Sequence, residues 1–570
     1  MDPESSWRKG VVLGLVDSQN DCGACIVKDG IILAAVNEER LTQKKLQGGF
    51  PKLSLEEVLD ISGLSYTDVD VIAVGGILTP PPYARLIRRL QAIEGDVRAS
   101  SSGGIVPFVS DLVQERLELN IINPGSWGGG FLARTIPALI RKDLPLPIRD
   151  RPIIPIDHHV AHIAGAYYLS GHDPVLGITA DGQGDGYSLT VNRCASGRIE
   201  RLYTMNGTDS FGMFYSAITK WLGFLPHRHE GKILGLSAHG DWNAVDAPYP
   251  FTDSGTYLGR WGWAGMPELD RMFAGCRRED VAAWVQHHTE ERMTELVAQW
   301  TGRTGLFHLA LSGGVFANVR LNQRLWELEG VDSVFVLPHM GDGGLAVGAA
   351  LACARPVSAP LNSLYLGKAF TDDEVRSALE LAHIPYDHPA DLEAEVVKLL
   401  ADGKVVGRFH GRAEWGPRAL GNRSILVHAT DGAMLDWLNE RLNRTEFMPF
   451  APLVLEEQIE KCFVDITGAE LPATTMTITL DCTAWMRKNC PGAVHIDGTA
   501  RPQIVSAKTT PRLHRLLKLY EEKTGLPVLI NTSFNLHEAP MVYNPAGAVR
   551  TYKEGAIDSL AIGPYLTSSS

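Results

Sequence analysis

The chain has 570 residues, too many for one hydrophobic core, so roughly two to four domains are expected. Hydrophobic residues at 45% and charged residues at 21% mark an ordinary globular protein, and 8% aromatics argue against disorder. The net charge of −13 disfavours a nucleic-acid binder, whose counterion release needs a basic face, and no apolar run approaches the roughly 18 residues of a membrane span.

The opening residues, MDPESSWRKG, lack an apolar leader, so a cytoplasmic protein is expected. Residues 11–36, VVLGLVDSQNDCGACIVKDGIILAAV, predict an apolar strand ending at Asp17, a polar loop, and two strands joined by Lys28-Asp29-Gly30. The eight cysteines are scattered, which suits reduced thiols. Cys22 and Cys25 form a C-x-x-C, but no second pair exists for zinc, and a strand follows where a redox motif would open a helix. Residues 152–170, PIIPIDHHVAHIAGAYYLS, predict a short strand, an N-cap at Asp157 and a helix. His158 and His162 are i and i+4 and share a helical face, while His159 points about 100° away. Such a pair suits divalent-metal ligation, or two packed histidines, without the glutamate of a metalloprotease H-E-x-x-H.

Residues 174–205 repeat the opening plan: an apolar strand reaches Asp181, a glycine-rich loop follows, and two strands are joined by Ala195-Ser196-Gly197. Two such units resemble the duplicated ribonuclease-H-like core of actin and the sugar kinases, which implies two aspartate-bearing loops facing a nucleotide cleft. Gly182-x-Gly184-x-Gly186 is not a dinucleotide fingerprint, because its spacing is wrong and no helix follows. Residues 307–322 predict a strand, Ser312-Gly313-Gly314 and a helix, a place where backbone can approach an anionic ligand. Residues 334–349 predict a strand ending at Asp342, then a small-residue helix. His158, His162, Asp181 and Asp342 form the candidate metal set, suited to iron or manganese, with zinc or magnesium as alternatives.

The segment 353–364, CARPVSAPLNSL, predicts a domain boundary, dividing 10–355 from 363–570. Beyond it, Arg408, Arg412, Arg418, Arg423, Arg441 and Arg444 are interleaved with Gly411, Gly416, Gly421, Trp415 and Pro417. Guanidinium forks on a glycine-punctuated loop suit phosphate or carboxylate binding, and Glu414, Asp431 and Glu440 keep the stretch from being strongly basic.

The motifs HHVAHIAGA, ADGQGDGY, HEGKILGLSAHG, LSGGVFANVRLN, DGGLAVGAA, GRAEWGPRALGNRSIL, EFMPFAP, HIDGTARPQIV and LINTSFNLHEAPM occur in order from 158 to 541. This series resembles the O-carbamoyltransferases of the nodulation-factor and antibiotic type, over about residues 11–566. The resemblance implies an α/β protein: a duplicated actin-like ATPase domain followed by a YrdC-like α/β domain. It implies ATP, a divalent metal, carbamoyl phosphate and a hydroxylated small-molecule acceptor, with no nucleic acid or membrane partner, and leaves a homodimer open. Carbamoyl phosphate would react with ATP to give carbamoyl adenylate, and an acceptor hydroxyl would then displace AMP. The resemblance places His410, Arg418, Arg423, Arg444, Arg501, Asn531 and Ser533 on carbamoyl phosphate or the adenylate. Asp181, Gly182, Gly313, Gly314, Asn318 and Lys232 fall to the nucleotide, and Lys45 and Arg418 to the catalytic set.

Two departures stand out. Where similar enzymes carry a histidine before an aspartate in the first loop, this chain has Asn20-Asp21, so the general base is in question, with Asp21, His229 and His339 as alternatives. A second arginine is replaced by Met448. Hydrogenase-maturation enzymes share several motifs but carry paired C-x-x-C fingers that are absent here. A tRNA-modifying enzyme would show a basic surface. An actin-like switch protein would account for 11–350 but not for the arginines. The acceptor contacts are expected in 77–150 and 241–280.

Overall fold

The computed structural model describes residues 7–86, 127–259, 262–441, 447, 450–536, 538–555 and 557–568. The chain divides into two compact units, Met1–Glu38 with Leu46–Leu361, and Glu39–Lys45 with Asn362–Ser570. The short segment 39–45, expected in the first domain, therefore belongs to the second unit. There Arg40 donates from Nη2 to the carbonyl of Gly416 at 2.6 Å.

The first unit holds one strand plan twice. β1 (Val11–Val16), β2 (Gly23–Lys28), β3 (Ile31–Asn37), β4 (Val71–Gly75) and β5 (Ile153–Ile156) form a sheet of order β3-β2-β1-β4-β5. β6 (Val175–Gly184), β7 (Tyr187–Ala195), β8 (Arg198–Asn206), β9 (His308–Ser312) and β10 (Ser333–Val336) form a second of order β10-β9-β6-β7-β8. In each, the first strand pairs antiparallel with the second and parallel with the fourth. This is a duplicated ribonuclease-H-like arrangement. The outer hairpins even share turn chemistry, because Asp29-Gly30 (φ 52° and 81°) and Ser196-Gly197 (φ 53° and 72°) are both left-handed pairs.

Each sheet is followed by a helix, His158–Ser170 after β5 and Leu345–Ala354 after β10. They pack on one another closely enough that a Cβ on Gly348 would lie 1.8 Å from the carbonyl oxygen of Ala161, which explains the small-residue composition of the second helix. Two expected boundaries shift. β10 stops at Val336, and residues 337–341 form a loop before Asp342 opens a single 3₁₀ turn. Asp181 lies within β6, which continues past an irregularity to Gly184.

The second unit is built on a mixed sheet. β11 (Val406–Phe409), β12 (Arg423–His428), β13 (Ala451–Leu455), β16 (Gln503–Val505), β17 (Val528–Ser533), β18 (Ser559–Ile562) and β19 (Tyr565–Ser568) run in the order β16-β13-β17-β12-β11-β18-β19. β14 (Leu480–Asp481) and β15 (Thr499–Ala500) make a separate ribbon. Leu516, Leu517 and Tyr520 of helix Pro511–Thr524 bury against Val406, Leu426, Leu453 and Leu529. Among the described residues, no helix is long and apolar enough to cross a membrane.

Candidate metal centre and arginine loop

Asp157 caps the histidine helix by accepting from the amide of Val160 at 2.9 Å. Asp185 fixes the same end. Its carboxylate accepts from the amides of His158 (2.8 Å), Ile77 (2.9 Å), Leu78 (2.6 Å) and Thr79 (3.0 Å). The helix start is thereby tied to the turn after β4.

On that helix His158 and His162 converge with Asp181 and Asp342, their ligand atoms all within 4.8 Å of one another. His158 Nε2 and His162 Nε2 lie 3.1 Å apart and sit 3.2 and 3.0 Å from Asp181 Oδ2. Asp342 Oδ1 is 3.7 and 3.8 Å from the same two nitrogens. Gly184 makes room for the His158 ring, since a Cβ there would fall 2.1 Å from its Cδ2. The Ser312 hydroxyl donates to the Met340 carbonyl (3.2 Å), so its lone pair faces His162 Nδ1 at 3.1 Å. That arrangement puts the His162 proton on Nδ1 and aims the Nε2 lone pair at the cluster.

Charge perturbs all four groups. Burial opposes the charge on His158, but the hydrogen bond to Asp181 and the nearby Asp342 outweigh it and lift His158 to about 9. Burial, then Asp181, raises Asp342 to about 8. Burial presses His162 down, and the pull of the two adjacent histidines overcomes burial to hold Asp181 well below the usual carboxylate range. Two imidazole nitrogens and two carboxylates converging on one point fit a borderline divalent cation. His159 is different. Its Nδ1 meets Thr179 Oγ1 at 2.7 Å and its Nε2 meets the Tyr187 carbonyl at 2.9 Å, and burial above all pushes it to about 3, a neutral core residue.

The first repeat departs from the expectation of two aspartates facing phosphate. Asp17 is wholly buried against Arg85, with Nη2 to Oδ1 at 3.0 Å. Asp21, at φ 59°, accepts from Asn37 Nδ2 at 3.0 Å and lies 3.4 Å from His339 Nε2. The Asn20 amide donates to Ser18 Oγ at 3.0 Å. His229 sits elsewhere, with its Nδ1 accepting from the Leu225 amide at 3.2 Å. Cys25 is an inert strand thiol, pushed to about 12 by burial, and Cys22 beside it is raised as well.

Gly313 and Gly314 lie against the cluster, a Cβ on Gly314 meeting Asp181 Oδ1 at 3.0 Å, and the Gly182 amide donates to that oxygen at 2.7 Å. Asn318, expected at adenosine, caps helix Val319–Trp326 through the Leu321 amide (3.0 Å) and pairs with Gln286 (2.9 Å). Lys232 is buried on helix Glu230–Ser237.

In the second unit the arginines divide by task. Arg423, expected on substrate, is fully buried and committed to carbonyls, those of His410 (2.7 Å), Asn422 (3.0 Å) and Gly411 (3.1 Å), with its guanidinium 3.7 Å over the Phe409 ring. Arg412 donates to Gly367 and Leu366, Arg408 to Gly421 and Asn422, and Arg441 pairs with Asp558 at 2.6 Å. Arg408 and Arg423 reach the glycine-rich loop itself, and Arg412 ties it to residues 366–367. Glu414, expected to keep the stretch from being strongly basic, is buried. Its Oε1 accepts from the amides of Leu420, Asn422 and Arg423 at 2.8, 2.8 and 3.0 Å.

Arg418 lies half-buried in that loop and Arg501 half-buried just after β15. Burial first, then Arg408, keeps His410 near 3 and neutral. Asn531, in β17, donates to Ala419 (2.9 Å) and Gln503 (2.8 Å), and Ser533 donates to Asn535 at 2.5 Å. Lys45 Nζ lies 3.8 Å from Glu39. Arg444 and Met448 lie outside the described residues, as does 87–126 of the expected acceptor region. Sequence reasoning missed Asp185, Ser312 and Glu414. The signals were the second aspartate of DGQGD, the serine before the paired glycines, and an acid inside an arginine-rich motif.

Fold and site together define an α/β protein with a duplicated ribonuclease-H-like unit, a convergent histidine and aspartate cluster, and a second α/β unit carrying an arginine-braced loop. The sequence matches the family described as Carbamoyltransferase N-terminus over residues 11–351 and Carbamoyltransferase C-terminus over residues 397–569. The chain belongs to the carbamoyltransferase family, and it is an enzyme of carbamoyl transfer. It is 30% identical to the uncharacterized protein sll1178 of Synechocystis over 97% of this chain and 95% of that protein. It is 29% identical to nodulation protein NolNO of Sinorhizobium fredii (96% of this chain, 78% of that one). It is 32% identical to nodulation protein NolO of Bradyrhizobium diazoefficiens (72% and 78%).

Proposed function

We propose that this enzyme makes carbamoyl adenylate from carbamoyl phosphate and ATP, then passes the carbamoyl group to a hydroxyl of a small natural-product acceptor. The observation that carries the reading is the presence, in one chain of this family, of the histidine and aspartate cluster and of the arginine-braced loop. In the first step water hydrolyses carbamoyl phosphate to carbamate and inorganic phosphate, and a carbamate oxygen attacks the α-phosphorus of ATP with release of pyrophosphate. Arg418 and Arg501 bind the anionic groups, and Asn531 and Ser533 orient the flat carbamoyl group. In the second step the acceptor oxygen attacks the carbamoyl carbon, its proton passes to a base near Asn20 and Asp21, and AMP leaves.

His158, His162, Asp181 and Asp342 would hold a divalent cation, iron by our reading, that neutralises nucleotide phosphate charge. Gly182, Gly313 and Gly314 let backbone approach the nucleotide. The buried thiols suit a reducing, cytoplasmic setting. Pyrophosphate release that requires carbamoyl phosphate tests the reading. A nucleotide-switch protein would release only inorganic phosphate from ATP, and that result would overturn it.

A further inference from the structure

Arg40 lies in the helix Glu38–Thr42. In the structure its side chain is only 9% exposed. Nη2 donates to the Gly416 carbonyl at 2.6 Å, two residues before Arg418. Nε is 3.7 Å from Glu39 Oε1, and that same oxygen is 3.8 Å from Lys45 Nζ, so one carboxylate is shared by two cations at distances too long for hydrogen bonds. Nη1 is buried and has no hydrogen-bond partner among the described residues.

Arg408 and Arg423 are buried in the same unit, and burial first, then Arg408 and Arg40 against the pull of Glu414 and Tyr543, presses Arg423 down to about 10. Glu414 is the buried acid of that loop, and its Oε1 is already turned to three amides. A buried guanidinium nitrogen without an acceptor is costly, and a neutral acceptor would leave the charge uncompensated. A phosphate group supplies both negative charge and acceptor oxygens in the geometry a guanidinium fork matches.

We propose that Arg40 is a ligand of a phosphate group bound in the second unit, through Nη1, while Nη2 holds its guanidinium to the Gly416 loop. The inference rests on the proposed use of phosphate-bearing substrates. Two sources share this chemistry, carbamoyl phosphate and the nucleotide, and inorganic phosphate and a non-hydrolysable ATP analogue serve as their probes.

Binding of each probe to the full-length protein is measured by calorimetry for wild type, Arg40→Gln and Arg40→Lys. Arg40→Gln should weaken one probe roughly 10- to 100-fold, the range for losing one charge-assisted contact. Arg40→Lys should recover part of that loss, because charge returns without the fork. Loss for inorganic phosphate assigns the contact to the carbamoyl phosphate side, and loss for the analogue assigns it to the nucleotide. If wild type binds and both variants match it within about twofold for both probes, Arg40 is not a ligand while the function stands. If wild type binds neither probe, the functional reading falls and the inference with it. Should Arg40→Gln melt below wild type, the comparison rests on Arg40→Lys, which keeps the buried charge.

Discussion

Replacing Ser312 by alanine isolates what orients a metal-ligating histidine without touching a ligand. In the intact protein the Ser312 hydroxyl donates to Met340 (3.2 Å) and faces His162 Nδ1 (3.1 Å). The Met340 carbonyl also receives the Gly313 amide at 2.7 Å, so losing the hydroxyl does not orphan that oxygen. His162, with no exposed surface, suffers instead. Its Nδ1–H either stays buried and unpaired, at a cost of about 1–3 kcal/mol, or moves to Nε2, which removes the lone pair a cation needs. Both outcomes weaken metal binding, and outer-shell partners of this kind are worth about 10- to 100-fold in affinity. Ser312→Ala should therefore lose affinity in that range, while Ser312→Thr, which keeps the hydroxyl, should lose much less. Competition against a chelator of known affinity, on metal-stripped protein, measures it. An alanine variant within about twofold of wild type would refute the reasoning.

Three further outcomes are expected. His158→Ala or His162→Ala should cut bound metal sharply, whereas His159→Ala should keep the metal but destabilise the fold by about 2–4 kcal/mol, from two lost buried hydrogen bonds and a cavity. Metal analysis beside a denaturation curve separates the two classes, and equal metal loss in all three would sink the assignment. Asp17→Asn should cost about 3–5 kcal/mol, because it strands the buried Arg85 charge; a loss below about 1 kcal/mol in urea unfolding would contradict this. Asn20→His should speed carbamoyl transfer by about 100- to 10,000-fold without altering adenylate formation, since an imidazole near neutral pH accepts a proton that an amide does not. Single-turnover transfer rates decide it, and no gain would place the base elsewhere.

The legible parts of this protein are those whose signal is local. Asp-Gly and Ser-Gly turns between alternating strands announced both hairpins, and i,i+4 spacing announced the two inward histidines. The arginines were not legible at the level of role, because a guanidinium has the same sequence signature on a carbonyl as on a phosphate. Arg423 meets the carbonyls of His410, Gly411 and Asn422 only because the chain folds residues 410–422 around it, and that is tertiary information. Asn318 illustrates the same limit. A residue that suits a ligand contact also suits a helix cap, and the cap is where it is found. The strand end predicted at Asp342 failed because the loop at 337–341 is stabilised from outside its own sequence, by Ser312 and Gly313 donating to Met340.

The duplication itself explains where the cluster forms and why its two halves differ. The helices after β5 and β10 are equivalent elements of the two repeats, and their N-terminal ends supply His158 and His162 from one copy and Asp342 from the other. β1 and β6 are likewise equivalent, and their hairpin registers match Gly14 to Gly177, so Asp17 matches Ala180, one residue before Asp181. Four carboxylates and histidines already perturb one another strongly there, and a further unpaired carboxylate would add repulsion in a buried site. Arg85 removes that problem by holding Asp17 with Nε and Nη2 while its remaining donors reach the carbonyls of Gly76 and Ile77. The aspartate that follows β1 is thus part of the framework, while Asp181 of β6 meets the histidines together with Asp342.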